Sequence, residues 1–256
     1  MLVDSHTHLN YKAYNKDLEE VINRCKGMKL INVGTTLETS KKAIELALDN
    51  NNFYASVGLH PIHVNDEKFN IENYNKLIKK NNSVIAVGET GLDYFHHKEE
   101  KKEQRELFIK HIKLSKDNNL PLIIHGRNSQ NEKTVYVDIC NILRSNKINK
   151  GVIHCYLGNL EEAKNFIDLG MYLGFTGVIT FDKKGIMEEI IKYIPESRML
   201  IETDAPYLTP EPYRGKRNEP SYVKYVAQKI AEIKNKTTEE IIEITGNNAI
   251  KLFNLK

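Results

Sequence analysis

The chain has 256 residues, 40% hydrophobic and 28% charged, with a formal net charge of +3 at pH 7. That length suits one α/β domain spanning 1–256, and the charge balance argues against a protein that coats nucleic acid by bulk basicity, for which a pI above about 9 with clustered cations is the signature. Three scattered cysteines argue against a disulfide framework; with no secretory pattern and no apolar run near the roughly 18 residues of a membrane span, a cytoplasmic protein with no membrane association and no obligate protein partner is expected.

The first apolar run, residues 2–3, leads at once into Asp4-Ser5-His6-Thr7-His8. Residues two apart on a strand face the same way, so His6 and His8 point together. Further short apolar runs at 29–35, 53–59, 84–90, 121–126, 151–156, 171–177 and 198–204 are mostly rich in β-branched residues and read as buried strands. Between them, segments 39–50, 70–80, 103–118, 131–145, 159–169 and 185–193 read as helices. Residues 219–256 add two or three more, with Pro220 near the start of the first. Strand and helix alternating in this way imply parallel pairing through right-handed crossovers. Eight such units fit a (β/α)₈ TIM barrel with extra C-terminal helices over one end. An open doubly wound sheet would carry a Gly-rich loop after its first strand, where this chain has His-Thr-His.

Barrel active sites gather at the C-terminal ends of the strands. Strand one ends in His6 and His8, strand four in Glu89, strand five in His125, strand six in His154 and strand eight in Asp204. Four imidazoles and two carboxylates suit Zn²⁺ or Mn²⁺, and carboxylates with water suit Mg²⁺. Unpaired burial of six such groups would be costly, so two divalent ions per subunit are expected at one mouth. Glu89 is placed to bridge them. Asp204 can ligate and accept a proton from bound water, whose pKa a metal lowers to about 7.

The segments DSHTHL (4–9), GLHP (58–61), VGETGLDY (87–94), PLIIHGR (121–127), GVIHCY (151–156) and LIETDAPYLTP (200–210) together resemble the TatD family of metal-dependent deoxyribonucleases within the amidohydrolase superfamily. The resemblance spans nearly the whole chain. It implies a distorted TIM barrel, with His6, His8, Glu89 and Asp204 serving one ion and Glu89, His125 and His154 the other. Many relatives in the superfamily bridge their metals with a carboxylated Lys; Glu89 at that strand fits the TatD branch. The implied activity is 3′→5′ exonuclease action on single-stranded DNA or frayed 3′ ends by a metal-bound hydroxide, with Asp204 and Glu89 catalytic. Two rivals stand beside it: an ester hydrolase removing D-amino acids from charged tRNA at the same metals, and a non-catalytic nucleic-acid-binding protein with a vestigial site.

Around this centre His60, Arg127 and Arg214 are candidate substrate contacts, Arg forks being suited to phosphate oxygens. Lys216 and Arg217 divide between phosphate binding and a solvated loop. Tyr94, Phe95 and Tyr207 divide between base stacking and packing. His96 and His97 read as exposed. Cys155, next to His154, reads as a small core residue facing the other side of its strand.

Overall fold

Short β-branched runs form the strands and amphipathic segments form the helices that cover them. In the computed structural model, which describes residues 1–96, 98–131 and 133–256, the strands are β1 (Val3–Thr7), β2 (Lys29–Val33), β3 (Phe53–Val57), β4 (Val84–Asp93), β5 (Leu122–Arg127), β6 (Gly151–Ile153), β7 (Tyr172–Phe175) and β8 (Met199–Ile201). They pair in parallel in chain order. Helices α1 (Leu18–Arg24), α2 (Leu37–Asp49), α3 (Ile71–Lys80), α4 (Lys101–Asn118), α5 (Val135–Ser145), α6 (Leu160–Asp168) and α7 (Ile186–Tyr193) fill the crossovers, and α8 (Val223–Lys234) and α9 (Thr238–Phe253) follow β8. This is the expected (β/α)₈ barrel. The ring closes where Thr7 bridges Ala205, with His8 N donating to Ala205 O at 2.8 Å and Asp204 N donating to His6 O at 2.9 Å.

The helix ends carry local signals. Thr36, Asn159 and Thr237 start α2, α6 and α9 with reciprocal capping boxes, which satisfy amides that the first turn leaves unpaired. Asn119, Asn235 and Asn254 end α4, α8 and α9 in the left-handed region, which Asn tolerates better than most residues. The asparagine-rich composition is thus put to use as helix stops.

One apolar layer lies between barrel and helices. A second fills the barrel itself: Val3, Ile31, Tyr54, Ile85, Ile123, Val152, Tyr172 and Leu200 supply one residue from each strand, and Leu252 and Phe253 of α9 pack beneath them. Burying each of those two α9 side chains contributes roughly 1.5–3 kcal/mol, so α9 is a stopper for the lower end. The upper end is left to polar side chains.

Strict alternation from Val3, which faces inward, would turn His6 outward. The β1–β2 register shifts between Asp4 and Thr7, and such an irregularity re-aims the side chains beyond it. β4 shifts likewise between Val87 and Thr90 in its pairing with β5, beside Glu89. It then runs to Asp93, past the expected end at residue 90. β6 and β8 stop short of their expected ends, so His154 and Asp204 sit just past the strands. Helix α1 was not anticipated, and α5 begins at Val135 rather than 131. Among the described residues no helix is long and apolar enough to cross a membrane.

Candidate metal centre

Glu89 stands at the middle of the upper mouth, with its side chain 4% exposed. Its Oε2 lies 3.3 Å from His6 Nε2 and 3.8 Å from His8 Nε2. Its Oε1 lies 3.1 Å from His125 Nδ1, 3.3 Å from His60 Nε2 and 3.8 Å from His154 Nε2. Each oxygen therefore faces its own group of imidazoles. Asp204 Oδ1 completes the ring at 3.4 Å from His8 and 3.7 Å from both His6 and His154. All six residues expected at the metals meet here.

The backbone explains how they reach it. Gly91 lets β4 pass close to β5: an added Cβ would stand 2.1 Å from His125 O. Beyond β6 and β8, Cys155 (φ 43°) and Asp204 (φ 55°) take the left-handed region, an uncommon conformation that clusters at functional sites. The turn at Cys155 also corrects the expectation for that residue. It lies past the strand, half-buried, with Sγ 3.4 Å from Thr176 Oγ1, and is not a core side chain on a strand face.

Hydrogen bonds at the far side of each ring decide which nitrogen is offered inward. His8 Nδ1 donates to Val33 O at 2.9 Å, leaving the Nε2 lone pair for the centre. His154 Nδ1 donates to Glu202 Oε1 at 2.8 Å, so it too offers Nε2. Glu202 is itself held by Cys155 N at 2.6 Å and Ser5 Oγ at 3.2 Å. His60 is the reverse case. Its Nδ1 accepts from Ile62 N at 3.2 Å, so the proton is on Nε2 and the ring donates to Glu89. His6 Nδ1 is buried without a hydrogen-bond partner among the described residues. Tyr11 stacks on His8, with ring centroids 4.4 Å apart.

Burial opposes charge on Glu89, but His60 and His6 outweigh it and hold the carboxyl well below the ordinary range. Asp204 is likewise lowered against its burial, chiefly by His154 and His8. Burial also opposes charge on His154, yet Glu202 and Asp204 push it up to about 10. His125 is pushed up to about 8 by Asp93 and Glu89 against its burial. Burial lowers His60 to about 4. Ionised carboxylates in this pocket thus demand positive charge, supplied by protons on the rings or by a cation in their place. Lone pairs of neutral rings facing carboxylate oxygens at 3–4 Å suit a divalent ion between them. Among the described residues, three groups have candidate ligand atoms all within 4.8 Å of one another: His6, Glu89 and His154; His6, His8 and Asp204; His60, Glu89 and His125.

The outer candidates divide. His60 is buried against Glu89, with its ring edge on His125 at 4.3 Å. Arg127 ends β5 and lays its guanidinium 4.3 Å over the ring of Phe95. Arg214 lies 3.9 Å over Phe181 and donates to Thr209 O at 3.0 Å. Arg217 pairs with Asp17, Nη1 to Oδ1 at 2.9 Å, and serves the fold. Tyr94 is buried, its hydroxyl donating to Asp138 at 2.8 Å, whereas Phe95 and Tyr207 are 41% and 55% exposed. His96 is exposed as expected; His97 lies outside the described residues. Asp93 and Glu202, which hold the rings of His125 and His154, were missed from sequence. The available signal was position alone: Asp93 two residues past Gly91 on a strand that continues, and Glu202 two before Asp204.

A (β/α)₈ barrel with imidazoles and carboxylates converging at its C-terminal mouth defines the class of metal-dependent hydrolase barrels. The chain belongs to the family described as TatD related DNase, whose profile matches residues 3–254. It is 42% identical over its whole length to the whole of YabD of Bacillus subtilis, named as an uncharacterized metal-dependent hydrolase. It is 36% identical to YcfH of Escherichia coli, named likewise, over 99% of this chain and 96% of that one. Among solved structures, the TatD homologue YjjV of Escherichia coli superposes with a TM-score of 0.92 at 28% identity, covering 100% of this chain and 98% of that one.

Proposed function

We propose that this chain is a divalent-metal-dependent phosphodiesterase that trims single-stranded or frayed DNA from the 3′ end in the cytoplasm. One observation carries the metal-centred chemistry: Glu89 divides its two oxygens between the His6/His8 pair and the His125/His154 pair, as a carboxylate joining two cations must. His6, His8 and Asp204 would complete one ion's ligands, and His125 and His154 the other's. The nucleic-acid substrate rests on the family, described as TatD related DNase.

A divalent pair held by these residues would neutralise phosphate charge and acidify water. The chain's own groups do the rest. Asp204 is the more open of the two central carboxylates, its side chain 16% exposed against 4% for Glu89, and it accepts the proton of the attacking water. Water attacks phosphorus, the bond to the 3′ oxygen of the preceding nucleotide breaks, that oxygen takes up the proton Asp204 received and becomes the new 3′ hydroxyl, and the terminal nucleotide leaves with its 5′ phosphate. His60 donates to Glu89 and keeps it ionised and aimed. Phe95, Arg127 and Tyr207 line the rim, where a base stacks and a backbone phosphate is paired; Arg214 contributes at the β8 side.

The test is a strand labelled at its 3′ end, incubated with the protein and Mg²⁺, Mn²⁺ or Zn²⁺ in turn. Release of labelled mononucleotide at the first turnover is expected. Deacylation of D-aminoacyl-tRNA without nucleotide release would replace the substrate and keep the centre. Binding of DNA with no turnover under any of the three ions would leave the site vestigial.

A further inference from the structure

His125 differs from the other rings around Glu89. His6, His8, His60 and His154 approach the centre by Nε2, whereas His125 approaches by Nδ1. Its Nε2 is turned away and lies 3.1 Å from Asp93 Oδ2. Asp93 is 1% exposed and is held on every side. Its Oδ1 accepts from the backbone N–H groups of Phe95 and His96 at 2.9 and 2.8 Å. Its Oδ2 also faces His96 Nδ1 at 2.9 Å. Its own backbone is clasped by Gln104, with Asp93 N donating to Gln104 Oε1 at 2.7 Å and Gln104 Nε2 donating back to Asp93 O at 2.9 Å.

We propose that Asp93 is a positioning residue that keeps the proton of His125 on Nε2 and so leaves its Nδ1 lone pair free for a cation. This rests on the reading of His125 as a metal ligand. An ionised carboxylate only accepts, so the neutral ring facing it must donate from Nε2. Ring partners of this kind orient metal-binding histidines, and losing one typically costs 10- to 100-fold in metal affinity.

The two amides on Oδ1 make the proposal sharply testable. In Asp93→Asn they require the amide oxygen where Oδ1 now lies. The side-chain NH₂ must then take the place of Oδ2 and donate toward His125 Nε2. That nitrogen can accept only if the ring proton moves to Nδ1, which closes Nδ1 to a cation. Asp93→Ala removes the bias without reversing it. The near-isosteric variant should therefore harm cation binding more than the truncation, the opposite order to that of a residue which only packs.

Zn²⁺ affinity by chelator competition, and the ring tautomer of His125 by ¹⁵N NMR in the metal-free protein at a pH above the value of about 8 to which Asp93 and Glu89 raise this ring, read this directly on the full chain. Expected are a 10- to 100-fold weaker Zn²⁺ affinity for Asp93→Asn, a smaller loss for Asp93→Ala, and a His125 proton on Nδ1 in Asp93→Asn against Nε2 in the parent. Should Asp93→Ala fail to fold, the tautomer in Asp93→Asn still decides. Parent-like affinity and tautomer in Asp93→Asn, or a greater loss in a folded Asp93→Ala, would overturn the proposal. His125→Ala is the separate control: unchanged Zn²⁺ affinity there would remove His125 from the ligands and the proposal with it.

Discussion

His6 on β1 and His8, the first residue past its end, bring their Nε2 atoms to 3.2 Å of each other. Both atoms also face Glu89 Oε2, at 3.3 and 3.8 Å. With His8 Nδ1 donating to Val33 O, His6 Nε2 can donate to His8 Nε2, and Glu89 supplies the negative charge that both rings face.

Glu89→Gln removes that charge while keeping the shape. Hydrogen-bond partners of the ligands already account for 10- to 100-fold in metal affinity, so this variant should lose at least about 100-fold, and with it the proposed release of 3′ label. Metal analysis by mass spectrometry after gel filtration, beside the 3′-label assay, measures both. Parent-like metal content would contradict the bridging role.

The rim should act on substrate and leave the metals alone. Phe95 is exposed beneath Arg127, and base stacking is worth about 1–3 kcal/mol per base. Phe95→Ala should therefore raise KM for single strands by roughly 5- to 150-fold, with metal content unchanged and kcat little altered. Steady-state kinetics on a short oligonucleotide separate the two constants.

His111 gives an acid sensitivity unrelated to the chemistry. It is buried in α4, accepts from Leu59 N on Nε2 at 2.9 Å and donates from Nδ1 to Leu107 O at 2.9 Å. Burial lowers its pKa from 6.5 to about 4. The unfolded chain takes up this proton as pH falls through about 6.5, while the folded chain resists until about 4. Stability from this residue is therefore full above 6.5 and is lost on acidification toward 4, by up to about 3 kcal/mol. Melting His111→Gln and the parent between pH 7 and 4 should show a shallower decline in the variant. Identical slopes would reject the assignment.

Gly91→Ala tests the close passage of β4 against β5. The added methyl would meet His125 O at 2.1 Å, and relief needs a backbone shift costing about 2–4 kcal/mol. Tm should fall by roughly 5–10 °C, with weaker metal retention because His125 moves. A calorimetric Tm equal to the parent's would show that the strands can part there without cost.

The barrel and the convergence of six candidate ligands at its mouth were readable because both rest on period. Apolar runs separated by amphipathic stretches repeat eight times, and each ligand follows a run. What escaped depends on contacts between distant segments. Asp93 and Glu202 earn their roles only through the rings that they face, and a lone carboxylate in a sequence carries no such mark. Arg217, which on sequence divides between phosphate binding and a solvated loop, is held by Asp17, 200 residues away. His154 and Asp204 fall beyond their strands because the neighbouring backbone turns left-handed, which residue alternation does not encode.

The seam between β1 and β8 has a consequence for the life of the chain. Its backbone bonds join His6 and His8 to Asp204 and Ala205, and His6, His8 and Asp204 are candidate ligands brought together from distant parts of the sequence. A chain emerging from the ribosome cannot assemble this ligand set until its last strand has docked beside its first. Ion capture would then act as a final latch, admitting the cation only to molecules whose ring is already complete.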